Sequence, residues 1–417
     1  MTHFSSHRDQ DFLEHPTRFL SDKLMPKYWP PRPNWFWKKM IHVLLAYYVR
    51  NHWKFLDIHI DGAEETFQKF GPNDGVLITP NHSHEGDPHI LLKAAKKFHK
   101  KFYFMAAWQA FCGHGGLDGR ILQRMGVFSV DRDGCDRRAV RTAVELLCAG
   151  QYLVVFPEGE IHRLNDRLKP LCDGVAYMAL SAQRELKKNA SDAKIWILPS
   201  AIRYEMTDDV IPELEQAMKR LEAHFLWWKP PKDASLQERI VLFGEMLLTI
   251  KEKEKTGKSF KESGDLPHRI QKMIKNILAQ HEKKYLKRSA TASNVAMRVK
   301  ALRRQLLDLW LDDAQTPDVR QEAYQALDDV QLVLQLSSYP GDYISEKPNV
   351  LRLAETIEKF EEDIFGLNHS IGSRRAKLIF GQAIDMSCDV DLSHMRAAIS
   401  GLTDRLEETI QSLMDQF

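Results

Sequence analysis

"GVLITPNHSHEGDPHILLKAAKKF" (75–98) is the stretch on which the reading of this chain turns. "VLITP" (76–80) is a continuous apolar run, the pattern of a strand covered on both faces. After a polar loop, Asp87 and Pro88 open a helical stretch, "PHILLKAAKKFHKK" (88–101). Aspartate is a favoured N-cap and proline a favoured first helical residue. The same alternation continues to about residue 203. "FYFMA" (102–106), "YLVVFP" (152–157) and "IWILPSAI" (195–202) are further apolar runs. "DRRAVRTAVELLCAG" (136–150) reads as a helix with Val140, Val144 and Leu147 on one face and Gly150 at its end. The expected fold class is α/β, a mostly parallel central sheet flanked by helices.

Beyond Tyr204 the pattern becomes helical. "LQERIVLFGEMLLTIKEKEK" (236–255) and "NVAMRVKALRRQLLDLWL" (294–311) carry apolar stripes at helical spacing. "TPDVRQEAYQALDDVQLVLQL" (316–336) opens with Thr316 as cap and Pro317 behind it, and "NVLRLAETIEKFEEDIFG" (349–366) stops at Gly366. "AKLIFGQAIDM" (376–386) reads as a strand again, followed by a last helix with Ile399, Leu402, Leu406, Ile410 and Leu413 on one stripe. The expected organisation is a polar, proline-rich segment at 1–35, a discontinuous α/β domain at 36–205 and 373–417, and an all-helical insertion at 206–372. A separate C-terminal domain that includes the last strand is the simpler arrangement.

The chain has 417 residues, 43% hydrophobic and 28% charged, as a soluble globular protein would. A net charge of +2 and the lack of an RNA-binding signature exclude a dedicated nucleic-acid binder. The five cysteines are scattered, with no C-x-x-C pair, which suits a reducing, cytoplasmic setting and offers no thiolate metal site. The first residues lack the apolar segment of a secretory signal. No run of about 18 apolar residues is present to span a bilayer. Residues 27–55 nevertheless lack any acidic group and combine Trp29, Trp35, Trp37 and Trp53 with Lys38, Lys39, Arg50 and Lys54. That composition suits a helix lying in a lipid interface, or else a helix capping the domain core. The first of these makes the protein peripheral to a membrane surface. "CGHGGLDG" (112–119) reads as a flexible loop and lacks the order of a nucleotide cradle.

The loop at 80–89 admits three readings. His82, His84, Asp87 and His89 offer metal-type ligands, and the segment resembles the H-x-H-x-D-H loop of metallo-β-lactamase-type hydrolases. In that loop the aspartate would fall where Gly86 stands; Asp87 comes one residue late. Asp87 as a helix cap is the bland reading. In the third, Asp87 holds one nitrogen of His82 and leaves the other to take a proton, the orienting logic of a hydrolase triad without its serine. No G-x-S-x-G elbow exists, so the nucleophile would be a substrate hydroxyl. His84, Glu85 and His89 are expected to be mostly exposed.

Four blocks in order resemble the glycerophospholipid acyltransferase family, over roughly residues 36–205 with 376–417 as a continuation. They are Asn81-His82-Ser83-His84-Glu85-Gly86-Asp87; "GVFSVDR" (126–132); "FPEGEIHR" (156–163); and "ILPSAI" (197–202) with Pro199. Gly174 is a further match. The family's third block carries its arginine two residues after the glycine, whereas Arg163 here comes later, behind Glu160, Ile161 and His162. The resemblance implies transfer of a fatty acyl group from an acyl thioester, on coenzyme A or an acyl carrier protein, to a hydroxyl of a lysophospholipid or glycerol-3-phosphate-type acceptor. It implies His82 as general base, Asp87 as its orienting carboxylate, and no cofactor beyond the thioester co-substrate. Arg132 is the first choice for a phosphate, because arginine pairs phosphate bidentately. Arg163 is the second. Glu158 and Gly159 sit in a turn where a strand ends, the glutamate suited to orienting an acceptor hydroxyl or holding Arg132. A metal-dependent hydrolase using the histidine cluster, or a catalytically silent lipid-binding scaffold, are the competing functions.

Overall fold

The computed structural model describes residues 27–34, 47, 49–61, 63–134, 136–259, 264–286, 294–367, 369–388 and 394–417. The described elements run in chain order: β1 (Phe55–Asp61), α1 (Glu64–Lys69), β2 (Gly75–Pro80), α2 (Asp87–Lys97), β3 (Phe102–Ala107), α3 (Gly113–Met125), β4 (Val127–Val130), α4 (Arg137–Cys148), β5 (Tyr152–Val154), α5 (Gly174–Lys188) and β6 (Ile195–Met206). Then come the helices α6 (Ile211–His224), α7 (Leu236–Thr256), α8 (Leu266–His281), α9 (Val295–Leu311), α10 (Pro317–Ser337) and α11 (Val350–Phe365). β7 (Arg374–Phe380), β8 (Ile384–Asp385) and α12 (Met395–Met414) close the order.

The chain divides into two compact units. One comprises residues 27–208 with Gly372–Phe417, the other Asp209–Ile371. In the first, the strands form one 8-stranded sheet in the order β1-β7-β6-β2-β5-β3-β4, with β8 beside β6. Among the described residues β1·β7, β2·β6, β2·β5, β3·β5 and β3·β4 are parallel, and β6·β7 and β6·β8 are antiparallel. The apolar runs have the predicted cause. Leu77, Leu153 and Ile197 face a core shared with α4, α5 and α12. Tyr152, Phe102 and Phe380 meet Phe67 of α1, which also stacks on Phe98 at 4.4 Å. A sheet with both faces covered needs no polar alternation. On α4 the deepest side chains are Ala139, Ala143 and Leu147, with Val140 and Val144 at the margin.

Two expectations change. "AKLIFGQAIDM" is not one strand: the pairing of β7 stops at Phe380, Gly381 donates its N–H to the Pro199 carbonyl at 2.8 Å, and β8 resumes farther along β6. "CGHGGLDG" is not a loop. It begins α3, where a Cβ on Gly119 would lie 2.6 Å from the Phe111 carbonyl oxygen. The glycines there allow the helix to sit close against the preceding turn.

Among its described residues the second unit contains helices and no strand. Its core draws Leu248, Met273, Ile274, Leu302, Leu306, Leu327 and Val330 from α7 to α10. Arg269 and Glu252 form a buried ion pair in it, 2.8 Å apart, with Thr249 accepting from the same guanidinium. Such pairs persist when every polar atom finds a partner.

Candidate active site

The sheet places the sequence blocks at one edge. β2, β4 and β5 all end on the same side of the parallel region, and the chain leaves them at His82, Arg132 and Glu158 respectively. Open α/β sheets bind ligands at this carboxyl edge.

Beyond Ser200, β6 loses its pairing with β2, and two asparagine side chains take over. Asn81 donates to the Ile202 carbonyl (3.0 Å) and accepts the Ile202 N–H (2.7 Å). Asn165 does the same for Tyr204, at 3.1 and 2.7 Å. Each amide replaces the peptide a neighbouring strand would supply, so no buried backbone group on that stretch is orphaned. The same four bonds lock the loop after β2 and the loop around residue 165 to one strand.

His82 Nδ1 lies 2.8 Å from Asp87 Oδ2. The Asp87 side chain is fully buried, while that of His82 is 14% exposed. Asp87 Oδ2 also accepts the His84 N–H at 2.9 Å, and its Oδ1 accepts the Tyr204 hydroxyl. Asp87 is therefore not the helix cap: Gly86 holds that position and no side-chain cap bond forms. The carboxylate turns inward because three donors meet it there. With an ionised carboxylate as acceptor, Nδ1 carries the proton and Nε2 presents a lone pair. Nε2 takes part in none of the hydrogen bonds of the described residues. The imidazole is fixed in plane by Phe156, whose ring stacks on it at 3.9 Å and 18°.

Burial and the Asp87 charge push the Tyr204 hydroxyl well above its usual range, so it remains a donor. The Glu158 carboxyl is buried and pushed up to about 8 by desolvation, against the pull of two N–H donors. Those donors are the backbone of His82 (2.6 Å to Oε1) and of Lys169 (3.1 Å to Oε2). Glu158 thus ties the His82 loop to the loop at 169 and does not hold Arg132. The Arg132 guanidinium instead reaches the Gly159 carbonyl and Glu160, both at 2.7 Å, and is about one-third exposed. Arg163 is buried and bonded to Glu85 at 2.7 Å, in a left-handed backbone conformation with φ of 49°.

His84 was expected at the surface and is only 2% exposed. It packs against Trp53, Phe55 and Tyr204, and its Nδ1 accepts the Gly86 N–H at 2.9 Å. Desolvation, then the charges of Arg374 and Arg163, hold its pKa well below the usual histidine value, so it is a neutral core residue. His89 is likewise lowered to about 4 by burial. Glu85 is half-hidden by its arginine. The N–H groups of His84, Gly86, Asp87 and His89 all bond within the loop, to the carboxylate of Asp87, the ring of His84 and the carbonyls of His84 and Gly86. These helix-start donors are therefore engaged before any oxyanion arrives. Among the described residues no group of three or more His, Cys, Asp and Glu side chains is arranged to hold a metal ion.

Tyr204 and Asn165 are the members that sequence reasoning missed, and Phe156 stood in the third block with no role assigned to it. Tyr204 lies 117 positions from Asp87, and only the shared strand links it to the fourth block.

Of the 27–55 segment, residues 35–46 lie outside the described residues, as does residue 48, and with them Trp35, Trp37, Lys38 and Lys39. Trp53 is buried, and Trp29 is half-buried and stacks on Phe111 at 5.9 Å. No helix among the described residues is long and apolar enough to cross a membrane.

Residues 57–203 match the Acyltransferase family model. Comparison with the curated proteins gives no match.

Proposed function

With residues 57–203 an acyltransferase domain, we propose that it moves a fatty acyl group from an acyl thioester to a hydroxyl of a lysophospholipid or glycerol-3-phosphate-type acceptor. The observation that carries the reading is the His82–Asp87 bond at 2.8 Å, with Asp87 buried and His82 partly exposed at the carboxyl edge. The acceptor hydroxyl sits at Nε2. His82 takes its proton as the oxygen attacks the thioester carbonyl, and Asp87 stabilises the imidazolium. The tetrahedral intermediate collapses with departure of the thiolate, which receives a proton from His82. No acyl-enzyme forms. Asp87 draws support from Tyr204 and the His84 N–H. Glu158 positions His82 through its backbone.

Arg132 binds the acceptor phosphate. It stands at the carboxyl edge, partly exposed, and a phosphate would replace Glu160 as its ionic partner while Gly159 keeps its carbonyl on the same nitrogen. Arg163 supports the His82 loop from behind through Glu85. The unit meets its lipid substrates at a membrane surface through the 27–55 region. The experiment is an acceptor panel with acyl-coenzyme A and with acyl carrier protein as donors, following thiol release. Phosphate-bearing monoacyl or glycerol acceptors should be used, and Arg132→Ala should raise KM for them by roughly tenfold or more, since a charge-assisted pair is worth about 1.5–3 kcal/mol. Release of thiol to water alone, with no acceptor acylated, would refute the assignment.

A further inference from the structure

The unit that carries the site hides a full positive charge that none of the sequence blocks contains. Arg374 is the largest fully buried side chain among the described residues, 1% exposed. It opens β7, outside the residues that match the family model, and reaches the site because a segment beyond the helical unit completes the sheet. Its strand partners are Phe55 on β1 and Met206 on β6, and Ala376, two residues on, is opposite Tyr204. Side chains alternate along a strand, so Arg374, Phe55 and Tyr204 share one face of the sheet. The loop at 82–87 packs on that face. The Phe55 ring stands 5.2 Å from that of His84 and 5.0 Å from that of Tyr204. The Tyr204 hydroxyl and the His84 N–H are both donors to Asp87. The Arg374 charge is felt on both sides of that carboxylate. After burial, it is the first of the charges that hold His84 neutral, and it opposes the rise that burial and Asp87 impose on the Tyr204 hydroxyl.

A guanidinium stays protonated across the working range, so Arg374 cannot relieve its burial by losing a proton. Such a charge persists against anions. Two carboxylates are sunk in the loop, Asp87 and Glu85, and Arg163 holds Glu85 at 2.7 Å. The other titratable groups come from the elements packed on the loop. His84 and His89 are neutral through burial, the latter lowered to about 4. Glu158, after β5, is held by two backbone N–H groups and is still pushed up to about 8 by burial. Uncharged donors therefore do not suffice here to keep a buried carboxyl ionised, and the donors to Asp87 are uncharged while His82 is neutral. We propose that Arg374 is a positioning residue of acyl transfer: its charge keeps Asp87 ionised and keeps the His82–Asp87 pair from taking up a proton before the acceptor hydroxyl arrives. The inference rests on the reading of His82 as the base.

The test reads the pair separately from turnover. The full chain, made with isotope-labelled histidine, is titrated by NMR, the His82 ring signal being the one lost in His82→Ala. Without the cation the pair takes up its proton at higher pH. Arg374→Met should therefore raise the midpoint of the His82 signal, and with it the acid limb of kcat/KM for thiol release, by about one pH unit. At neutral pH kcat should fall several-fold with little change in KM. Glu85→Gln removes an anion and should move both midpoints the other way. Arg374→Lys restores the charge and should restore both. Where Arg374→Met does not fold, the charge-balanced double variant Glu85→Gln, Arg374→Met replaces it, and its midpoint should lie above that of Glu85→Gln alone. A folded Arg374→Met with the wild-type midpoint, or a double variant no higher than Glu85→Gln, overturns the inference. So does an Arg374→Lys displaced as far as Arg374→Met. Wild-type thiol release by His82→Ala would instead sink the base assignment, and the ring signal would still decide whether Arg374 acts on the pair.

Discussion

Asp87 accepts from three donors, and the least expected of them is the Tyr204 hydroxyl. Tyr204→Phe leaves a buried carboxylate oxygen without that donor, which is expected to reduce stability by about 1–3 kcal/mol in urea unfolding. Thiol release should slow by a smaller factor than replacement of His82 produces, with the pH profile displaced, because the carboxylate that orients the imidazole is changed. Unaltered activity and stability would remove Tyr204 from the site. Glu158 gives a pH signature. Its folded-state carboxyl lies near 8 because of burial, above the value of about 4.3 in an unfolded chain. Protonation is thus favoured by folding. The contribution is complete below the unfolded pKa and fades as pH rises through about 8. Stability should fall across that window in wild type and flatten there in Glu158→Gln; equal slopes would contradict the shift.

At the scale of elements, the loop between β2 and α2 is held by contact as much as by hydrogen bonds. A Cβ on Gly86 would lie 2.4 Å from the Phe55 ring, so Gly86→Ala must displace either the ring or the loop. The expected result is a loss of about 1–3 kcal/mol and at least a tenfold fall in thiol release, with the alanine chain still folded by circular dichroism. The strand that leads into this loop was legible in the sequence because burial on both faces leaves an unbroken apolar run. His82 and Asp87 were legible because a strand end and a helix start fix their separation. The partners of Asp87 were not, since Tyr204 joins it through β6 and Asn165 joins β6 through a side chain, contacts that no local pattern encodes. His84 looked exposed because a polar residue in a polar loop gives no sign of the aromatic pocket formed by Trp53, Phe55 and Tyr204. The break between β7 and β8 was hidden because Ala383 and Ile384 resume the apolar pattern so soon after Gly381.

At the scale of the whole molecule, the last helix reaches the site by relay. Glu407 of α12 accepts the Leu171 N–H at 3.1 Å and Gln411 accepts the Leu168 N–H at 3.0 Å. The next residue, Lys169, donates to Glu158, which holds the backbone of His82. The double replacement Glu407→Ala, Gln411→Ala is expected to lower kcat several-fold with little change in KM, because two hydrogen bonds that fix a positioning loop disappear. A wild-type kcat would show that α12 serves only the core, where Leu402, Leu406 and Ile410 are buried. The same helix and β7 join the sheet from the far side of the helical unit in sequence, so the chain order alone separates residues that the fold places together.

The central claim is that His82 removes the proton from the acceptor hydroxyl while Asp87 holds its other nitrogen. The most direct measurement is single-turnover thiol release by His82→Ala beside wild type, with both proteins shown to unfold at the same urea concentration. The expected rate in the variant is lower by about 10²–10⁴-fold at saturating acceptor. A folded His82→Ala protein that acylates the acceptor at the wild-type rate would contradict it.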